Sequence, residues 1–200
     1  MGPKATPTAK PLRCSRGFSL IELAVSMTVV LILAAIALPS LTRSYRAYQL
    51  NDSANRLAGM LKFTRFEAIR RNKPINCQIL QSGTDWYVWS DSNGDGVVDP
   101  TETQYLITGI VTLIPDGVAP SPSAIIAAVG GSPTTVSGSN GFVKFDPRGA
   151  VVYAGAPAVY VFYLGDVSVP DYGYRAVILL PSGVTQVWTA PAGGTWQRTS

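Results

Sequence analysis

From Arg16 to Leu38 the chain reads RGFSLIELAVSMTVVLILAAIAL. After Gly17, this stretch contains 21 residues and a single charged side chain, Glu22. As an α-helix rising about 1.5 Å per residue, it would span about 31 Å, which matches a bilayer hydrocarbon core of about 30 Å. The sequence therefore predicts that residues 18–38 form a membrane-spanning helix.

The residues before this helix predict its orientation. Residues 1–17 contain four basic side chains and no acid. By the positive-inside rule this flank stays in the cytoplasm, and the rest of the chain lies on the outer side. A secretory signal peptide is the alternative, but its apolar region is shorter, about 7–15 residues, and Leu38–Leu41 lacks a small-x-small cleavage site.

Glu22 is unusual for a plain membrane anchor. A carboxylate in an apolar helix is costly, and such residues are usually paired and functional. No Lys or Arg lies within one turn on its C-terminal side. Either a group from outside this helix compensates the charge, or the side chain reaches the lipid headgroups.

The composition disfavours enzymes. The chain has 200 residues, 14% of them charged against about 25% in an average soluble domain, and it contains no histidine. Catalysis by Ser-His-Asp or Cys-His systems and His-ligated zinc are thereby excluded. Two cysteines are too few for a thiolate cluster or a disulfide scaffold. We predict that the protein is not an enzyme, the carboxylates of Asp95 and Asp99 being the only acid/base alternative.

The second part of the helix is amphipathic and basic. Residues 43–73 hold eight of the 16 basic side chains, whereas residues 74–200 hold nine of the 12 acids. Leu50, Ala54, Leu57, Leu61 and Ala68 recur at helical spacing and predict one buried stripe. The pattern predicts a helix from Ser19 to Asn72, with residues 39–73 forming its amphipathic half on the outer side of the membrane. Lys73-Pro74 would end it.

Pro39 lies inside this predicted helix. A proline removes one backbone hydrogen bond, so a kink or local unwinding is expected near Ala35–Pro39.

From Ile75 onward, short runs rich in β-branched and aromatic residues alternate with Gly, Pro, Asp and Ser. Eight strands are predicted: Asn76–Leu80, Trp86–Ser90, Gln104–Leu113, Phe142–Phe145, Ala150–Tyr153, Val159–Leu164, Arg175–Leu180 and Thr185–Trp188. Residues 115–141 are expected to form a long loop. Residues 74–200 are thus predicted to form a β-rich head, one antiparallel sheet packed on the end of the helix.

The segment Arg16-Gly17-Phe18-Ser19-Leu20-Ile21-Glu22 resembles the class III signal of type IV pilins and type II secretion pseudopilins. The resemblance implies that residues 1–17 are a leader, which a prepilin peptidase removes between Gly17 and Phe18. Phe18 would then be N-methylated. It also implies that the Glu22 carboxylate meets the α-amine of Phe18 from a neighbouring subunit, which would set the register of filament assembly.

Three further stretches resemble the GspH/FimT branch of this family: residues 68–75, Phe145-Asp146-Pro147-Arg148-Gly149 and Leu180-Pro181-Ser182-Gly183. The resemblance implies an α+β, type IV pilin-like fold, in which a long N-terminal helix packs on an antiparallel β-sheet head. It implies a minor pseudopilin or minor pilin in the tip complex that primes a type II secretion pseudopilus or a type IV pilus.

The same resemblance implies a location and partners. The chain would cross the bacterial inner membrane once, with its N-terminus cytoplasmic and its head periplasmic. Its partners would be other pilins or pseudopilins, the prepilin peptidase and the inner-membrane assembly platform.

The two cysteines are interpreted separately. Cys14 would be lost with the leader, so the processed chain would keep only Cys77 and could not close an internal disulfide. Cys77 is expected to be a small buried residue on a strand, an intermolecular link being the alternative.

DNA binding is the alternative function, because some FimT-like minor pilins bind DNA during natural transformation. In those relatives the basic residues lie toward the C-terminal end, whereas residues 176–200 contain only Arg198. Nucleic acid is therefore an unlikely partner by composition.

Residues 91–102 read DSNGDGVVDPTE and match the calcium-loop pattern D-x-[DN]-x-[DN]-G-x5-E. Calcium takes six to eight hard oxygen ligands. The candidate ligands are Asp91, Asn93, Asp95, the Val97 carbonyl, Asp99 and Glu102. The flanks are strand-like rather than helical, and a hairpin loop with solvated acids is the alternative. Ca2+ is the only cofactor that the sequence suggests.

Overall fold

The computed structural model describes residues 18–109, 111–115, 117–130, 133–136, 140–153 and 159–199. The predicted leader, residues 1–17, lies outside the described residues. The chain divides into two compact units, residues 1–42 and 43–200. Helix α1, Leu20–Arg71, contributes residues to both units.

In the first unit, α1 begins directly after Ser19. The Ser19 hydroxyl oxygen accepts a hydrogen bond from the Glu22 N–H at 3.2 Å, and the Ser19 carbonyl accepts one from the Leu23 N–H at 3.1 Å. Ser19 is therefore the N-cap, and Glu22 occupies the third position of the first turn. This spacing is that of a capping box, and it places a carboxylate near the positive end of the helix dipole.

The helix continues without interruption past Pro39. Residues 35 to 39 are all helical, so of the two expected outcomes the local unwinding is wrong, whereas the kink stays a prediction. Pro39 removes only one amide donor, and the helix bonds on either side persist. The Thr42 hydroxyl also donates to the Pro39 carbonyl at 2.9 Å.

In the second unit, α1 buries one face. The predicted stripe is confirmed, because all five of its members are buried together with four neighbours on the same face. The buried residues are Leu50, Ser53, Ala54, Leu57, Ala58, Met60, Leu61, Thr64 and Ala68. Asn72 follows the helix with φ +48°, and the Lys73 N–H donates to the Ala68 carbonyl at 3.2 Å. A left-handed residue at this place is a common helix terminator.

The other described residues of the second unit form two sheets, a short α-helix and a 3-10 turn at Pro170–Tyr172. The elements in chain order are β1 Ile75–Ser82, β2 Asp85–Asp91, β3 Gln104–Ile107, β4 Thr112–Ile114, α2 Ser123–Val129, β5 Pro133–Thr135, β6 Asn140–Phe145, β7 Val151–Val152, β8 Val159–Gly165, β9 Tyr174–Leu179, β10 Thr185–Ala190 and β11 Gln197–Arg198. The first sheet has the order β3-β2-β1-β6-β7 and the second β11-β10-β9-β8-β4. All their pairings are antiparallel, and β5 adds a parallel pairing with β8.

The predicted α+β fold with an antiparallel β-sheet head is confirmed, but the described residues of the head form two sheets where one was expected. The predicted strand Gln104–Leu113 is divided into β3 and β4, which belong to different sheets. Gly109, with φ +90°, lies between them. Ile107 and Leu113 are buried in the same core, so the apolar pattern continues across the change of sheet and conceals it.

The predicted loop at residues 115–141 was also wrong in part, because it contains α2, β5 and the start of β6. Strand β11 was not predicted either. These elements are short, and their residues carry no periodic pattern that marks them.

Two hydrophobic cores lie on the two faces of the second sheet. The first core joins the buried face of α1 to both sheets and includes Phe162 of β8 and Val177 of β9. The second core includes Tyr163 of the same β8 strand and is closed by Ile125 of α2 and Trp196. Alternate residues of one strand therefore enter different cores, as the period of two requires.

Candidate functional site

The first candidate site is the N-terminal part of α1, where the exposed surface is apolar. One apolar stretch of α1 is long enough to cross a membrane, with a mean hydropathy of 2.5 and none of its residues buried. Phe18 and Leu20 are 73% and 86% exposed. Such a surface requires lipid or other apolar helices as its cover.

Two polar side chains of this segment, Ser26 and Thr28, form hydrogen bonds within the helix. The Ser26 hydroxyl donates to the Glu22 carbonyl at 2.7 Å, and the Thr28 hydroxyl donates to the Ala24 carbonyl at 2.9 Å. Hydroxyls bonded in this way can lie in an apolar medium at little cost.

The Glu22 carboxylate is exposed, and none of the ion pairs within the described ranges involves it. Of the predicted processing residues, Phe18 is described and exposed, whereas Gly17 lies outside the described residues. The N-cap role of Ser19 was not predicted from the sequence, although the Ser-x-x-Glu spacing is the signal of a capping box.

The second candidate site is the contact between α1 and the two turns that end in Gly149 and Gly183. The sequence indicated these turns only by resemblance. Arg65 of α1 donates from Nε to the Gly149 carbonyl at 3.0 Å. Gly149 ends the motif at residues 145–149, and Gly183 ends the motif at residues 180–183. A Cβ placed on Gly149 would lie 2.7 Å from Ile69 Cδ1, and one placed on Gly183 would overlap the Gly149 carbonyl oxygen. Gly149 therefore lies against side chains of α1, whereas Gly183 lies against the other turn, and both have the positive φ that favours glycine.

Several basic side chains of the second unit form ion pairs or hydrogen bonds with other residues of the same chain. Arg56 pairs with Asp52 at 2.7 Å, and Lys73 donates to the Ser92 carbonyl at 2.6 Å. Arg175, largely buried, donates to Asn51 Oδ1 at 2.6 Å and to the Tyr174 carbonyl. Burial lowers the pKa of the Arg175 guanidinium from its usual value.

The basic side chains in the last turn of α1 also bind a group of the same chain. Arg70 and Arg71 bind the Glu67 carboxylate at 2.8 and 2.7 Å. The hydrogen bond from Arg70 is the main reason why the pKa of Glu67 is lowered. Near the C-terminal end, Arg198 is the only basic residue between 176 and 200.

Cys77 is completely buried in the first core and forms no disulfide. Burial raises the pKa of its thiol to about 12. This agrees with the prediction of a small buried residue and not with an intermolecular link, because a buried thiol with a raised pKa is inert.

The third candidate site is the connection from β2 to β3. Asp91, the last residue of β2, and Glu102 are both buried, and both accept hydrogen bonds from backbone amides between Ser92 and Gly96. Of the other candidate ligands, Asn93 and Asp95 are exposed and Asp99 is half-buried. Within the described ranges, no three acidic or other metal-binding side chains already form a cluster.

Comparison with known proteins identifies two segments. Residues 53–183 match the family described as Type II transport protein GspH, and residues 12–38 match the prokaryotic N-terminal methylation motif. The pilin-like protein PilA1 of Thermus thermophilus is 34% identical over 88 residues, which are 44% of this chain and 55% of PilA1. The match thus spans about half the length of that relative.

Two crystal structures of the type IV minor pilin FimU from Pseudomonas aeruginosa (strain PAO1) are also similar. The identities are 17% and 16% and the TM-scores 0.46 and 0.35. Each alignment covers 76% of this chain, with 98% and 90% of the respective FimU chains. Because the match over residues 53–183 covers more than half of the 200 residues, the chain belongs to the GspH family of type II transport proteins.

Proposed function

We propose that this protein is a structural subunit of a bacterial filament, a minor pseudopilin of a type II secretion system or a minor pilin of a type IV pilus. We further place it in the tip complex that primes assembly. The observation that carries the proposal is the exposed apolar start of α1, whose only charge is Glu22, beside a methylation motif. No catalytic step is assigned to the subunit.

We infer that the exposed apolar face is covered first by lipid and later by other subunits. Before assembly, residues 18–38 cross the inner membrane, with the N-terminus cytoplasmic and the head periplasmic. After assembly, the parallel helices of neighbouring subunits cover the same surface. In both environments the side chains leave water, which contributes about 25 cal/mol per Å² of apolar surface.

Processing precedes assembly in this proposal. A prepilin peptidase cleaves between Gly17 and Phe18 and methylates the new N-terminus, and the inner-membrane assembly platform then receives the subunit. The match to the methylation motif over residues 12–38 supports the position of the cut. Cleavage leaves a primary amine on Phe18, one residue before the N-cap Ser19, and methylation converts it to a secondary amine that is still positively charged.

The new amine provides the charge that Glu22 lacks. The capping bond uses the Glu22 N–H and leaves the carboxylate exposed on the first turn of α1. In a medium of low dielectric constant, a carboxylate and an ammonium attract each other much more strongly than in water, and leaving one of them unpaired costs several kcal/mol. Pairing Glu22 with Phe18 of the adjacent subunit therefore favours one axial register.

Substitution of Glu22 by alanine tests this role. We expect Glu22→Ala to be inserted and processed normally but to enter filaments at least about tenfold less, because the neighbouring amine loses its partner. Immunoblots of the sheared filament fraction and of the membrane fraction measure the two steps separately.

Ser26→Ala is the matched control. Ser26 lies one turn after Glu22, and its hydroxyl bonds only to the Glu22 carbonyl within the same helix. This variant should assemble like the wild type. Filament incorporation of Glu22→Ala at the wild-type level would disprove the register role.

A further inference from the structure

We propose that the connection between β2 and β3, residues 91–102, binds a calcium ion. This proposal does not depend on the filament function. It concerns the periplasmic head alone and would hold for any role of the chain.

The spacing of oxygen donors is that of a twelve-residue calcium loop. Such loops take ligands from positions 1, 3, 5, 7, 9 and 12, with a backbone carbonyl at position 7 and glycine at position 6. Those positions are occupied by Asp91, Asn93, Asp95, Val97, Asp99 and Glu102, with Gly96 at the turn. The ends of the loop are held together, because the Ser90 N–H donates to the Thr103 carbonyl at 3.1 Å.

The first carboxylate is already buried at the centre of the loop. Asp91 is 2% exposed, and its two oxygens accept from the Gly94 N–H at 2.6 Å and the Gly96 N–H at 3.2 Å. Gln78 adds a third bond at 3.0 Å. Gly94 and Gly96 have φ values of +86° and +71°, so the chain curls around the Asp91 side chain in conformations that glycine adopts readily.

The last carboxylate carries the proposal furthest. Glu102 is 8% exposed, and its Oε1 accepts from the Ser92 N–H at 2.6 Å and the Asn93 N–H at 3.3 Å. The carboxylate therefore faces the loop. Its second oxygen, Oε2, is buried and has no hydrogen-bond donor among the residues that the structure describes. A buried carboxylate oxygen without a partner is costly, and a calcium ion bound through both oxygens of position 12 would remove that cost.

The remaining donors are at the surface of the loop. Asp95 and Asp99 each accept one backbone N–H, from Val97 at 2.8 Å and Thr101 at 2.9 Å. Lys73 donates to the Ser92 carbonyl and not to a carboxylate of the loop. Arg70 and Arg71 line one hollow together with Glu102, but both guanidinium groups bind the Glu67 carboxylate. Since the acids do not yet form a cluster within the described ranges, we expect the ion to draw Asp95 and Asp99 inward when it binds.

Calcium binding would also order the part of the loop that lies over the first sheet. Gly96 lies above Gln78, since a Cβ on Gly96 would be 3.6 Å from Gln78 Nε2. Trp89, paired with Gln78 across β1 and β2, is 2% exposed, and it lines one hollow together with Gly96. Ordering the loop therefore stabilises the burial of Trp89.

The test is calcium binding by the full-length protein in detergent after removal of metal with a chelator. Isothermal titration calorimetry should detect binding with a dissociation constant of about 0.1–1 mM, the range of extracellular calcium modules. The unfolding midpoint should rise by about 5 °C or more in saturating calcium. Magnesium should produce less than half of that shift, because it demands a smaller octahedral shell. Glu102→Gln should weaken calcium binding at least about tenfold, since binding strength follows the number of charged ligands.

Asp146→Asn is the matched control. The Asp146 carboxylate accepts from the Arg148 and Ala150 N–H groups, both at 2.8 Å, and so stabilises a turn outside the loop. This variant should keep the full calcium shift. Asp95→Asn, at an exposed position, serves where Glu102→Gln does not fold, and it should also bind more weakly. An unchanged midpoint and no binding heat at about 10 mM calcium would overturn the proposal, and so would full binding by both loop variants.

Discussion

Gly183 adopts φ +78° directly against the carbonyl oxygen of Gly149, and a Cβ added to it would also lie 2.8 Å from Arg65 Nε. A side chain here would combine a disfavoured backbone conformation with a steric overlap. We expect Gly183→Ala to lower the free energy of unfolding by about 3 kcal/mol, measured by urea denaturation in detergent.

Gly193→Ala is the control at the same scale. Gly193 has a similar φ, +66°, but nothing lies within 4 Å of an added Cβ. Only the backbone term remains, so the loss should be about 1 kcal/mol. Equal losses in the two variants would show that the close contact with the Gly149 carbonyl does not impose the glycine.

At the scale of single residues, the sequence indicated the two glycine turns but not the contacts that favour glycine there. The turns ending in Gly149 and Gly183 were singled out by resemblance, and the reason for glycine is close contact with residues distant in the chain: Gly149 lies against Ile69 and Arg65 of α1, and Gly183 lies against the Gly149 carbonyl. Such a contact leaves no local signal. Cys77, in contrast, could be predicted as buried, because it lies in an alternating strand pattern.

At the scale of elements, the buried stripe of α1 could be predicted because its helical period persists from Leu50 to Ala68. Helix α2 could not. Its seven residues, SAIIAAV, carry no side-chain cap and no charge in either terminal turn. Short helices are marginal in water, so α2 depends on packing over the second core. The division of Gln104–Leu113 into β3 and β4 escaped prediction for a related reason: both pieces bury apolar residues in one core.

Two adjacent isoleucines test whether packing stabilises α2. Ile125 is completely buried in the second core, whereas Ile126 is 39% exposed. We expect Ile125→Ala to lower the free energy of unfolding by about 3 kcal/mol, because it leaves a cavity. Ile126→Ala should cost less than about 1 kcal/mol. Thermal unfolding followed by circular dichroism compares them, and similar losses would mean that α2 does not close this core.

At the scale of the whole molecule, an apolar N-terminal segment precedes a second unit, residues 43–200, whose described residues form two hydrophobic cores. The apolar start of α1 and the match to the methylation motif could be predicted because their signals are contiguous, from Arg16 to Leu38. The arrangement of the two sheets could not, since it depends on pairings between strands far apart in the chain, such as Ile75 of β1 with Phe145 of β6.

The central proposal is that removal of the leader creates the amine that compensates Glu22 in the assembled filament. Intact-mass and N-terminal analysis of the protein from membranes of its own host tests it most directly. We expect a chain that begins with N-methylated Phe18 and lacks the first 17 residues, whereas Gly17→Ala should retain them. A wild-type protein that still begins at Met1 would contradict the proposal, because no amine would then exist at Phe18.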